Sequence, residues 1–157
     1  MKQFLTALLA IVFMLASSHA VLATDYDVEL VVPDGKESKE TDAVLRVNQN
    51  DFQIIIEKQK FKNNEKSMAF SDIKVADYSY SKKPMLSAGG AVATALLVGV
   101  IFALPFLFIK KKNHWLTVQN EKDFAVIKMD SSNYRAIIAD MEVHGLKIKQ
   151  VKEEEKK

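Results

Sequence analysis

The chain has 157 residues, with 22 Lys and Arg against 20 Asp and Glu and no cysteine. That length holds one domain of ordinary size. The near-neutral balance excludes the strong basic face that nucleic-acid binding needs, and zero Cys excludes a disulfide framework, a thiolate nucleophile and a thiolate metal site.

Residues 1–23 read as a secretory signal peptide. Lys2 gives a short basic start, Phe4 to Ala16 is almost wholly apolar, and Ser18/Ala20 and Val21/Ala23 offer small residues at cleavage spacing, so the cut falls after Ala20 or after Ala23. An uncleaved N-terminal anchor is the alternative, and both place the segment from Thr24 onward on the far side of the inner membrane of a bacterium.

Residues 24–42 carry seven acidic residues against two basic ones. Tyr26 to Val32 alternates partly and reads as a strand, Pro33-Asp34-Gly35 as a turn, and Lys36 to Thr41 as an exposed loop. Over 43–84 the texture becomes strand-like. Ala43–Val47 and Phe52–Ile56 form a hairpin about Asn48–Asp51, Glu57 to Lys66 is a polar loop, and Ile73 to Tyr80 is a further strand.

Met85 to Ile109 contains no charged residue and is bracketed by Lys82-Lys83 and Lys110-Lys111-Lys112. A run of that length spans the roughly 30 Å of a bilayer's hydrocarbon, so it reads as a membrane segment, as a re-entrant hairpin or as a single span. Ala91, Ala95, Gly99 and Ala103, following Ser87, put small side chains on one helix face for helix packing or self-association. Lys82, Lys83, Lys110, Lys111, Lys112 and Trp115 suit anchors at a membrane interface.

In residues 110–150, His114–Val118 and Phe124–Met129 form a second hairpin. Tyr134, Ile137, Ile138 and Met141 then recur at helical spacing, with Ser131 or Ser132 as N-cap and Gly145 as the stop. Residues 151–157 are a charged tail.

Antiparallel strands followed by one amphipathic C-terminal helix resemble the pleckstrin-homology-like superfamily, particularly its bacterial and GRAM-like members. The resemblance is carried by AVLRVNQNDFQIII, KSMAFSDIKVADYSY and HWLTVQNEKDFAVIKMDSSNYRAIIADMEVHGLKI. It implies an α+β fold: a small antiparallel barrel or curved sheet with one capping helix, split by an inserted hydrophobic membrane helix or helical hairpin. Physics points the same way, because neither half alone covers its apolar faces.

No GxSxG, P-loop or HExxH spacing occurs, and His114 and His144 lack matching metal-ligand spacing. The expected function is therefore a non-catalytic, membrane-anchored interaction or scaffolding module, with no cofactor, no metal and no nucleic acid. Its expected partners are membrane lipid and a protein or a second copy. Superfamily members that bind phosphoinositides use basic residues about the first strand–strand loop; Asn48–Asp51 has only Arg46 nearby, so Lys58, Lys60, Lys62 and Lys66 are the candidates for anionic lipid. The alternative is a single-pass membrane protein acting as a small subunit of a membrane complex or as a signalling relay.

Overall fold

The computed structural model describes residues 23–35, 37–87 and 111–152. Eight strands form one curled sheet: β1 (Thr24–Asp34), β2 (Glu37–Val47), β3 (Asp51–Ile56), β4 (Lys66–Ala69), β5 (Val75–Ser81), β6 (Asn113–Gln119), β7 (Phe124–Met129) and β8 (Lys149–Val151). Their order across the sheet is β4-β3-β2-β1-β7-β6-β5-β8. All neighbours run antiparallel except β5 and β8, which are parallel.

The curl follows from side-chain alternation, because one face of seven strands must reach a common centre. Val28, Leu30 and Val32 of β1 meet Ala43, Leu45 and Val47 of β2, Phe52, Ile54 and Ile56 of β3, and Met68 of β4. Ala76 of β5, Leu116 and Val118 of β6, and Ala125, Ile127 and Met129 of β7 join the same cluster. Met68 and Ala76 sit near opposite edges of the strand order, so sharing one core requires the sheet to wrap. The open side is covered by α1 (Tyr134–Val143), which inserts Ile137 and Met141, both fully buried.

The start of α1 differs from the sequence expectation. Neither Ser131 nor Ser132 caps it with its side chain; instead the Asp130 carboxylate accepts the Ser132 N–H at 2.8 Å, and the Tyr134 N–H bonds the Asp130 carbonyl at 3.0 Å. The end agrees with it. Gly145 has φ of 91°, its N–H reaches the Glu142 carbonyl at 2.9 Å, and the Leu146 N–H reaches that of Met141 at 3.2 Å. This paired closure needs a left-handed residue, so Gly145→Ala lowers stability by about 1 kcal/mol, measurable by thermal denaturation.

Tyr26 on β1 ties the helix to the sheet, donating its hydroxyl to Asp140 at 3.0 Å. Burial and that carboxylate push the phenol up to about 12. Tyr26→Phe removes one partly exposed bond and lowers stability by roughly 0.5–1 kcal/mol in urea unfolding.

Two expectations are corrected here. The fold is not an α+β domain split by a membrane helix; it is mostly a curled eight-stranded sheet carrying one ten-residue α-helix among the described residues. Lys36–Thr41 is not an exposed loop either. β2 begins at Glu37 because β1 runs on to Asp34 and pairs it through the Gly35 turn, which masks a strand behind polar residues that alternate.

A membrane-inserted, exported protein with a transmembrane helix is likewise not supported, since no helix among the described residues is long and apolar enough to cross a membrane. Of the expected signal peptide at 1–23 all but Ala23, of the expected membrane segment at 85–109 residues 88–109, and with them the small-residue face Ala91, Ala95, Gly99 and Ala103, and Lys110, lie outside the described residues. The strands flanking that run do meet: β5 pairs with β6 along its whole length, from Val75↔Gln119 to Ser81↔Asn113.

Candidate functional site

The outer face of the sheet, opposite the core, carries a row of charge perpendicular to the strands. Strand register places Asp42 beside Glu29, and Glu29 beside Lys128. Glu57 extends the row through its N–H to the Asp42 carbonyl at 3.3 Å. Beyond Lys128 the row continues into Trp115 and Ser79.

A cleft of about 450 Å³ opens on this face. Its lining includes five carboxylate residues, Asp27, Glu29, Asp42, Glu57 and Asp130, against two cations, Lys112 and Lys128; Tyr80 and His114 border it. Lys58 pairs with Asp42 from outside the lining, so five carboxylates meet three cations and the cleft keeps a net negative charge.

Lys128 is one of the two lining cations. The ammonium donates to Glu29 at 2.8 Å and to Glu40 at 2.5 Å, joining β7, β1 and β2. For Glu40, burial and a hydrogen bond with Glu29 raise the carboxyl above the usual range despite Lys128. For Glu29, burial pushes upward, but bonds from Glu40 and Lys128 outweigh it and hold the group low. Burial works against the Lys128 charge too, and the two carboxylates more than restore it.

At the cleft border the His114 ring stacks on Tyr134, with centroids 3.7 Å apart, and on Tyr80, at 4.7 Å. Its Nδ1 lies 2.8 Å from the Tyr78 hydroxyl. Burial, then the nearby Arg135, lowers the imidazole pKa, with Asp130 opposing. A histidine held between tyrosines in this way is a structural joint between β5, β6 and α1. Among the described residues, no group of three His, Cys, Asp or Glu converges to hold a metal ion.

The four lysines proposed for anionic lipid do not form an open basic patch. Lys58 pairs with Asp42 at 2.9 Å, Lys60 with Asp34 at 2.8 Å, Lys62 with Glu65 at 3.0 Å, and Lys66 with Asp123 at 2.7 Å. Asp34 is held below the usual carboxylate range by Lys39 and Lys60, and Asp42 by Lys58. The Glu57–Lys66 loop is a 3-10 turn, Gln59–Asn64, pinned by buried Phe61.

Of the proposed interface anchors, Lys82, Lys83, Lys111 and Lys112 are exposed. Trp115 is the correction: it is 0% exposed and donates its indole N–H to the Ser81 carbonyl at 3.1 Å. Its side chain is covered on the outer face of the sheet, beside Ser79 and Lys128.

The acidic row was not singled out from sequence, although its signal was present. Asp25, Asp27 and Glu29 are spaced two apart, as are Glu40 and Asp42, which on paired strands puts them on one face.

No sequence-family model and no curated relative matches the chain. Among solved structures it is similar to the hSac2 domain from human phosphoinositide phosphatase Sac2, at 9% identity and a TM-score of 0.53, over 99% of this chain and 91% of that chain. A likeness at that identity is one of fold alone.

Proposed function

We propose that this chain is a non-catalytic interaction module of the pleckstrin-homology-like kind, and that its acidic cleft receives a basic segment of a protein partner. The observation that carries this reading is the cleft's lining of five carboxylates against two cations. The chemistry favours a chain over a point ion, because the carboxylates are spread over β1, β2 and the positions just past β3 and β7, and among the described residues no three converge on one metal position. Lys and Arg side chains along an extended peptide match such a spread. The same field repels phosphate, and the lysines that would counter it are engaged with Asp42, Asp34, Glu65 and Asp123. The superfamily resemblance, antiparallel strands followed by one amphipathic helix, supports the module reading.

The test is titration of the full chain with a Lys/Arg-rich peptide and a Glu-rich peptide of equal length. Only the basic peptide is expected to bind, with affinity falling as salt rises. The Asp27→Asn, Glu57→Gln double variant is expected to weaken it about tenfold, as befits rim charges. Equal binding of both peptides, or no effect of the double variant, refutes the reading.

A further inference from the structure

β5 is hydrogen-bonded on both sides, to β6 along its length and to β8 at Asp77–Ser79, so residues 82–87 do not pair beside it as another strand. Residues 82–87 return instead over the outer face of β5, held by side chains. Ser81 Oγ donates to the Lys83 carbonyl at 2.6 Å, and the Met85 N–H donates to Ser79 Oγ at 3.3 Å. The Ser87 N–H and Oγ both donate to the Asp77 carboxylate, at 2.7 and 2.9 Å. Outward residues 81, 79 and 77 are thus met by 83, 85 and 87 in turn. Trp115, the register partner of Ser79, lies on this face. Pro84 is buried here, while Lys82 and Lys83 point to solvent.

We propose that residues 82–87 are a releasable strap, latched at its far end by Asp77. The bonds are unequal. The one from Met85 is long, and the one from Ser81 is local and survives any lifting of the rest. Only at Asp77, which is 1% exposed, do two donors converge on a charge. None of these bonds belongs to the sheet ladder, so the strap lifts by local opening with the domain intact. Release frees six residues, roughly 20 Å of extended chain, the last three of which, Met85 to Ser87, open the uncharged run that ends at Ile109. The latch therefore fixes residues 82–87 on the outer face of β5.

Amide hydrogen exchange and tryptophan emission of the full chain test this, Trp115 being its single tryptophan. Asp77→Asn is expected to speed exchange of the Met85 and Ser87 amides at least tenfold and to red-shift the emission, with Leu116 and Val118 amides unchanged. Ser87→Pro, which removes both latch donors without touching the sheet, is expected to do the same at Met85. Unchanged Met85 exchange in either folded variant overturns the latch. So does parallel acceleration at Leu116 and Val118, which would make Asp77 a support of the sheet. Failure of both variants to fold counts against it equally, because the strap is then part of the fold's foundation.

Discussion

Trp115→Ala is expected to lower the free energy of unfolding by about 3–5 kcal/mol, read by urea denaturation followed by far-UV circular dichroism. The indole is fully buried on β6. Its register partners are Lys128 of β7 and Ser79 of β5, so its removal opens a cavity on the outer face of the sheet between those two neighbours. The lost N–H also strands the Ser81 carbonyl it serves. Trp115→Phe separates the two losses: most of the volume stays and the bond goes, for a cost of about 1–2 kcal/mol. A tryptophan standing at the surface as an interface anchor would cost under about 0.5 kcal/mol on truncation, so a result that small for Trp115→Ala overturns the buried placement.

Trp115 also illustrates which features the sequence expressed and which it did not. The hairpins about Asn48–Asp51 and Asn120–Asp123 and the helix at Tyr134–Val143 were legible, because short-range turn chemistry and period-3.6 spacing are local properties. The Gly145 stop was legible for the same reason. Burial of the outer face was not. Asp77, Ser79, Ser81, Thr117 and Gln119 are buried although polar, and a polar alternation on β5 and β6 reads as solvent-facing until the strap over β5 is known. The neighbouring indole then reads as exposed too. The same cause hid the first half of β2, where Glu37, Lys39 and Asp42 are exposed and only pairing with an eleven-residue β1 makes a strand of them. The cleft was half legible. The acidic excess of residues 24–42 is visible in the chain, but its partner Asp130 and its counter-ion Lys128 arrive from about a hundred residues away through the β1–β7 seam.

That seam supplies the second large effect. Lys128→Met leaves Glu29 and Glu40 on neighbouring strands, half-buried and without the cation they share. Breaking a fully buried pair costs about 3–5 kcal/mol; these groups are partly exposed and screened, so the expected loss at neutral pH is about 1–3 kcal/mol. The loss should shrink on acidification, as one carboxylate of the unpaired couple takes a proton. In the native triad the two carboxylates pull in opposite directions. Glu29 is held below its ordinary value, so it contributes stability that is present above that value and lost as pH falls through its folded pKa. Glu40 is held above its ordinary value, so the folded state binds its proton more tightly than the unfolded state does, and its ionisation costs stability above the folded pKa. Urea unfolding between pH 4 and 7 (about the window in which carboxylates of this kind titrate) should therefore find Glu29→Gln destabilising at neutral pH and Glu40→Gln neutral or stabilising. Equal destabilisation by both would mean that the ammonium is shared symmetrically and that burial does not decide which carboxylate keeps its charge.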